Sequence, residues 1–453
     1  MAKDMRTYIG QLEEAGELDH VRDPVDVDGE VARRLFASHN RALMFERIQD
    51  FPEWKILGQA PANMRHIALA FETSPDHVVN TFAERIDKGL VACRIVPGGP
   101  VKDRIIRGNQ VDLWKIPVHM AGARDPGRFI ASGLCIVKDP DTGIRNMAFH
   151  RMQIKGPQKM GFYMVEGRHT WLIYQKYQAM NRPMPMAVMI GHHPMYYFAA
   201  AYSGHMDLDE LEVAGSLLQT PVDLVKSETI DLEAPADSEI ILECEVPPHI
   251  REPEGPFSEF PGYYGGGQER PIVHVKAVTM RHDAIYKAVQ SSAHTESVYY
   301  NGIPQAAAIL KDLRSVGNFD VKDVTCNWGG TFNVVIKMTP RFHGEAKLAL
   351  LAAISSHYLH QKIAVAVDDD VDILDPQDVA WSIATRVNPT RDITIINDVR
   401  NHPMDLAIPG IERSNLRIPQ RVGSKVIIDA TKPPTSEPEE RALFERVAPP
   451  PSR

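Results

Sequence analysis

The chain has 453 residues, 43% hydrophobic and 24% charged, which is enough for two or three domains with cores of their own. Its formal net charge of −9 excludes the basic surface that a nucleic-acid partner requires. Cys93, Cys135, Cys244 and Cys326 form no CxxC pair, the N-terminus has no apolar h-region, and the longest apolar run (346–354) is too short for a bilayer, so a cytoplasmic enzyme is expected.

Met5, Tyr8, Ile9 and Leu12 lie at helical spacing over residues 5–17. A second helix follows the turn Asp26-Val27-Asp28-Gly29, through Val31 to Phe36. Residues 41–47 and 54–58 read as strands, and 60–71 and 76–88 as helices, which makes 1–100 an N-terminal α/β unit. After Gly98-Gly99-Pro100 short β-rich segments dominate, at 105–106, 133–138, 144–155, 187–190, 240–246, 272–280 and 284–289, with helices at 172–180 and 208–218. Many short strands with glycine and proline turns predict a barrel or sandwich over 101–300. From Asn301-Gly302-Ile303-Pro304 the pattern alternates again: helix 306–313, strands 321–326 and 333–337, a long helix 343–360 and a buried strand 363–367. That alternation predicts a C-terminal α/β domain over 301–431, followed by a proline-rich arm, 432–453, with a short helix at 437–447. The expected class is α+β multidomain.

The run Ile250 to Tyr263 sets Glu254 and Glu259 among prolines, glycines and phenylalanines. Those residues forbid a continuous helix or central strand, so a rigid loop is expected. Apolar neighbours favour the protonated form of a carboxyl, as a proton donor needs, although acids in a loop are usually just solvated. Upstream, Ile144-Arg145-Asn146-Met147-Ala148-Phe149-His150-Arg151 reads as a strand. Asn146 and Arg151 would face opposite sides of a regular strand, so a shared site needs a bulge or strand end between them. Arg168-His169 stands at a helix start, where an imidazole meets backbone N–H groups, and Glu210 lies in the first turn of a helix. An amide oxygen (Asn146), an imidazole (His169) and a carboxylate (Glu210) suit Mn²⁺ or Mg²⁺ better than structural zinc. Arg151 and Arg168 can hold an anion. His192-His193 is a weaker metal candidate, and Asp368-Asp369-Asp370 reads as a solvated strand-end turn. Gly265-Gly266-Gly267 lacks the Lys-Ser/Thr of a phosphate loop.

In order along the chain, Asn146…Arg151, Arg168-His169, Glu210 with Ala214-Gly215 and Val222-Asp223-Leu224-Val225-Lys226, and Pro253-Glu254-Gly255-Pro256-Phe257-Ser258-Glu259 resemble the UbiD family of prenylated-flavin-dependent decarboxylases. The resemblance runs to Gly423–Thr431. It implies a central split β-barrel of flavin-reductase type holding prenylated FMN. The expected cofactor-binding residues are Asn146, Met147, Ala148, Phe149, His150, Arg151, Arg168, His169 and Glu210. It further implies Mn²⁺ (or Mg²⁺) on Asn146, His169 and Glu210 at the cofactor phosphate, and K⁺ on backbone carbonyls around Ala199–Ser203. Arg151, Glu254 and Glu259 become the catalytic network. Glu259 donates the proton that replaces CO₂, and Glu254 is the ionised partner of Arg151. Where some members carry glutamine before the metal-binding histidine, this chain has Arg168.

The implied reaction is the reversible decarboxylation of an aromatic, heteroaromatic or α,β-unsaturated acid, with a flavin prenyltransferase as cofactor supplier and a homodimer or larger assembly as the working form. His294, Phe257, Phe260, Asn318 and Trp328 are candidate pocket residues. An FMN oxidoreductase on the same barrel, or a non-catalytic flavin- or metal-binding protein, are the competing readings.

Overall fold

The structure, a computed structural model, describes residues 3–292, 295–316, 319–327, 329–408, 410–411 and 420–447. Four of the helices begin where a side-chain oxygen accepts from one of the first free N–H groups: Asp4 from Thr7, Asn63 from His66, Asp209 from Leu211 and Asp375 from Gln377. The chain divides into two compact units, Met1–Pro304 and Gln305–Arg453.

The first unit holds two sheets that matter for function. A four-stranded sheet runs in the order Leu18–Val21, Ala42–Phe45, Lys55–Gly58 and Ile285–Lys287. Beside these strands in sequence lie the helices Met5–Glu14, Glu30–Phe36, Met64–Phe71 and Val78–Asp87, each burying an apolar stripe. The second sheet has ten strands, and all of its pairings are antiparallel. Its centre is the long strand Gln268–Met280, which pairs with Lys159–Phe162, Ile240–Val246, Arg251–Glu254 and Arg104–Arg107. Arg145–Phe149 lies at the other end, on Leu134–Lys138. The sheet buries Ile154, Phe162, Met186, Val188, Leu242 and Val275 in one core with the first sheet's Leu43 and Ile56.

Two departures from the sequence reading shape the site. The run expected over 144–155 is two strands, Arg145–Phe149 and Met152–Gly156, with His150 and Arg151 in the break between them. That is the interruption a shared role for Asn146 and Arg151 requires. The expected loop 250–263 is partly paired: Arg251–Glu254 lies along Gln268–Met280, and Phe257–Ser258 forms a hairpin with Tyr264–Gly265. Pro253 is tolerated because a short flanking strand can spare one donor.

The second unit is a six-stranded sheet ordered Val321–Thr325, Asn333–Met338, Ile363–Val367, Gln420–Ala430 and Ile393–Asn401, with Gly410–Ile411 also on Gln420–Ala430. Val335, Val365, Val367, Val371, Ile373 and Val379 form its core. The helix expected over 343–360 is shorter, Glu345–Ile354; Ser355 turns its hydroxyl back onto Leu351 O and the chain bends away. The helix expected over 306–313 starts earlier. The helix Glu296–Val316 runs through Pro304, and burial of Ile303, Ala306, Ile309, Leu310 and Leu313 outweighs the lost backbone bond. Among the described residues no helix is long and apolar enough to cross a membrane.

Candidate active site

Arg145–Phe149 is the end strand of its sheet, so the outward N–H of Met147 has no strand to bond. It donates to Glu210 Oε2 at 2.8 Å, and Asn146 Nδ2 donates to Glu210 Oε1 at 3.0 Å. Glu210 is the first residue of its helix, with Asp209 as cap, and is 3% exposed. Burial pushes its acid up to about 8, because its two bonded partners are an amide and a backbone N–H rather than a cation. The nearby guanidinium of Arg145 is taken by Asp209 at 2.8 Å. On the other side of Asn146, Thr170 Oγ1 lies 2.8 Å from Oδ1. Thr170 follows His169, the first residue of the helix His169–Ala179, whose cap position is Arg168. Burial first, and then the charge of Arg168, hold His169 below the usual histidine range, as a neutral metal-ligating imidazole needs.

Ala148 faces Cys135 across the strand pair, and Phe149 stacks on Tyr197 with centroids 5.1 Å apart. His150 is buried between Tyr163 O at 3.0 Å and Thr170 Oγ1 at 3.0 Å.

The second cluster is built on Arg151. Its Nε and Nη2 donate to the two oxygens of Glu254, each at 2.9 Å, and its Nη1 donates to Glu259 Oε1. All three side chains are buried. The guanidinium also lies 4.4 Å from the centroid of Tyr163 and 5.2 Å from that of Phe257. A second arginine, Arg270, stands 4.5 Å over the same Tyr163 ring, with Glu166 at 3.9 Å.

Two further features hold this cluster; Asp125 carried no signal in the sequence, whereas Gly255 and Gly265 lie in runs read there for other reasons. Asp125 takes Ser258 N on Oδ1 at 2.9 Å and Gly122 N on Oδ2 at 2.8 Å, which pins the residue next to Glu259. Glycines pack against the carboxylates: a Cβ on Gly161 would meet Glu254 Cγ at 3.1 Å, and one on Gly265 would meet Glu259 Oε1 at 3.1 Å. Gly255 has φ +83°, a left-handed conformation that favours glycine, at the turn between the two acids.

Other expected features fall elsewhere. His192 and His193 are fully buried and neutral, each pushed down to about 3 by desolvation; His193 caps the helix Pro194–Ala201. Asp368, Asp369 and Asp370 do come together, the one such acidic group among the described residues, but the solvated reading of Asp368 was wrong. It is fully buried against Arg441, while Asp370 pairs with Arg386 and Lys432, so neighbouring cations already balance the cluster. Of the pocket candidates, Phe257 packs on Phe129 at 4.7 Å and Phe260 is half-buried, whereas His294, Asn318 and Trp328 lie outside the described residues.

Three family models match along the chain. They are the N-terminal domain (9–86), the Rift-related domain (94–293) and the C-terminal domain (298–430) of 3-octaprenyl-4-hydroxybenzoate carboxy-lyase. Anhydromevalonate phosphate decarboxylase of Methanothermobacter thermautotrophicus is 31% identical over 72% of this chain and 74% of its own. Phenolic acid decarboxylase of Sedimentibacter hydroxybenzoicus is 28% identical over 97% of this chain and 93% of its own. The UbiD-class enzyme HmfF of Pelotomaculum thermopropionicum, solved with FMN, superposes with a TM-score of 0.90 at 35% identity, covering 99% of this chain and 97% of HmfF. An evolved dimeric form of HmfF was solved with prenylated FMN.

Proposed function

The chain belongs to the UbiD family of carboxy-lyases, and from that premise we propose that it decarboxylates an aromatic or heteroaromatic carboxylic acid on prenylated FMN, with Glu259 as proton donor. The observation that carries the reading is the Arg151 hub between Glu254 and Glu259. One guanidinium balances one carboxylate. The fork engages both oxygens of Glu254, while Glu259 takes only the one remaining nitrogen, which leaves Glu259 the acid with an oxygen to spare. Glu259 is then a buried acid on a braced turn with one proton to deliver.

Prenylated FMN, when bound, supplies the electron sink that lets CO₂ leave. The protein's tasks are to orient the substrate carboxylate, to exclude water and to place a proton where the carboxylate departed. Arg151 and Tyr163 orient, Phe257 and Phe129 keep that wall apolar, and Glu259 protonates. Run backwards at high CO₂, the same groups remove a proton and carboxylate the ring.

The donor set at the other cluster fits a divalent cation. Asn146 and Glu210 are buried together without a counter-charge, His169 precedes the Thr170 that touches Asn146 and is held below the usual histidine range, and hard oxygen donors with one imidazole suit Mn²⁺ or Mg²⁺. In this reading Asn146, His169 and Glu210 hold the cation on the cofactor phosphate, and Arg168 at the helix start adds an anion contact. A K⁺ fits the end of the helix Pro194–Ala201, where last-turn carbonyls gather. We read the ten-stranded sheet as the split barrel that carries the cofactor, and the unit beginning at Gln305 as the C-terminal domain.

The test is co-expression with a flavin prenyltransferase, then the absorbance spectrum and mass of the bound cofactor and CO₂ release from a panel of aromatic and heteroaromatic acids. Prenylated FMN with CO₂ release is expected. Plain FMN with no gain in CO₂ release overturns the reading, and bleaching by NADH would favour an FMN oxidoreductase.

A further inference from the structure

The Arg151 hub has little charge to offer an incoming anion. Its Nε, Nη2 and Nη1 all donate to carboxyl oxygens, two on Glu254 and one on Glu259. An acid substrate arrives as a third carboxyl group on one guanidinium. The site therefore needs a cation that its own acids do not use.

Arg270 meets that need. It lies on the long strand Gln268–Met280, directly opposite Glu252, while Gln268 stands opposite Glu254. Opposed residues of a strand pair share a face, so Arg270 and Glu254 lie on the same side of this pair. Both of those acids are engaged elsewhere. Glu252 takes Lys155 at 3.1 Å and Lys159 at 2.8 Å, and Glu254 takes the Arg151 fork. What remains for Arg270 is Glu166 at 3.9 Å, beyond hydrogen-bond reach. A guanidinium carries five N–H donors, and among the described residues this one has a single hydrogen-bonded acceptor, the uncharged Gln268 Oε1.

The surrounding structure holds this loosely matched charge at the site. The Arg270 side chain is only 13% exposed, so water screens it less than a surface arginine. It stands 4.5 Å over the Tyr163 ring, on which Arg151 also packs at 4.4 Å, and that shared ring fixes it beside the hub. In the reading above the cofactor phosphate has the Asn146–Glu210 cluster and Arg168, which leaves Arg270 to the substrate. A planar fork with open donors suits a carboxylate.

We propose that Arg270 is the residue that receives the carboxylate of the acid substrate, next to the hub that supplies the proton. The inference rests on the decarboxylase reading above and adds to it the group that selects an anion.

The experiment titrates holoenzyme, co-expressed with a flavin prenyltransferase, with benzoate and nicotinate and with their uncharged amides, by calorimetry. Steady-state rates follow on every acid from which CO₂ is released. The parent is expected to prefer acid to amide about tenfold or more. Arg270→Gln is expected to lose that preference, to keep the parental cofactor content, and to raise KM about tenfold or more with a smaller change in kcat. Arg270→Lys keeps the charge without the fork and falls between them. Glu166→Gln frees the guanidinium from its carboxylate and is expected to bind the acids about threefold more tightly, which keeps the test open if the Arg270 variants do not fold. Parental preference and KM in Arg270→Gln overturn this inference and leave the decarboxylase reading standing. Loss of cofactor from Arg270→Gln with KM unchanged also overturns it, by making Arg270 a cofactor contact. A parent that binds neither acid and releases no CO₂ overturns both.

Discussion

Arg151 grips Glu254 through two parallel bonds of 2.9 Å and has one remaining nitrogen for Glu259. That fork depends on a planar guanidinium, and a lysine ammonium cannot reproduce it. Arg151→Lys is therefore expected to fold but to lose about 10²-fold in kcat, since a misplaced acid costs that much in a positioned site. Arg151→Ala leaves the buried Glu254 and Glu259 without their shared partner and is expected to lose about 3–5 kcal/mol of stability. Denaturant unfolding of both variants checks this. An alanine variant as stable as the parent would show that the hub does not hold the turn.

Glu259→Gln removes the transferable proton and keeps the shape and the bond from Arg151. It is expected to bind cofactor and metal at parental levels and to lose about 10²- to 10⁴-fold in kcat. In deuterated water the parent's product should carry deuterium at the carbon that lost CO₂. Full activity in Glu259→Gln would sink the proton-donor role.

The residues legible in sequence are those with a local signature. His169 and Glu210 open helices, where caps and first turns leave a pattern, and side-chain alternation shows that a site shared by Asn146 and Arg151 needs a bulge or strand end between them. What the sequence hid is long-range. Asp125 meets Ser258 across 133 residues, and nothing in its own turn announces that contact. The glycines at 265–267 looked like a phosphate loop without its lysine; their meaning appears only when the hairpin sets Gly265 against Phe257. Pro304 misled for the reverse reason, because burial of the surrounding helix overrode a local breaker.

Glu210 predicts a pH dependence that metal should abolish. Its folded acid is raised to about 8 from an ordinary carboxylate near 4.5. The folded protein therefore holds a proton there that the unfolded chain has released, and metal-free stability falls as pH rises from about 4.5 to 8. Mn²⁺ displaces that proton, so binding should release it and strengthen over the same window. Denaturant midpoints at a series of pH values, with chelator and with Mn²⁺, measure this. Glu210→Gln is expected to flatten the metal-free slope relative to the parent, and an unchanged slope would assign it to other groups.

Asp125 acts on the acid through the backbone. Asp125→Ala leaves Ser258 N and Gly122 N without their acceptor, at a cost of about 1–3 kcal/mol, and frees the turn beside Glu259. The expected signature is a fall in kcat with little change in KM, because Asp125 orients the donor rather than the substrate. Asp125→Asn keeps one oxygen for Ser258 N and is expected to recover part of the rate. Equal kcat in parent and alanine variant would reduce Asp125 to a local turn residue.

Neighbouring glycines give the sharpest contrast. A Cβ on Gly265 would lie 3.1 Å from both Cγ and Oε1 of Glu259 and 3.2 Å from Arg151 Nη1, whereas one on Gly266 meets nothing within 4 Å. Contacts that short force the neighbour to give by a few tenths of an ångström, and the neighbour here is the proton donor itself. Gly265→Ala is therefore expected to fold near parental stability and lose about tenfold or more in kcat. Gly266→Ala, one residue along the same turn, should retain parental kcat. The two variants change the unfolded chain alike, so a difference in rate between them reports the position of Glu259 and not the loss of a flexible residue. Matching losses in both would mean that the turn must move during turnover, and that the glycines serve its freedom instead of the space beside the acid.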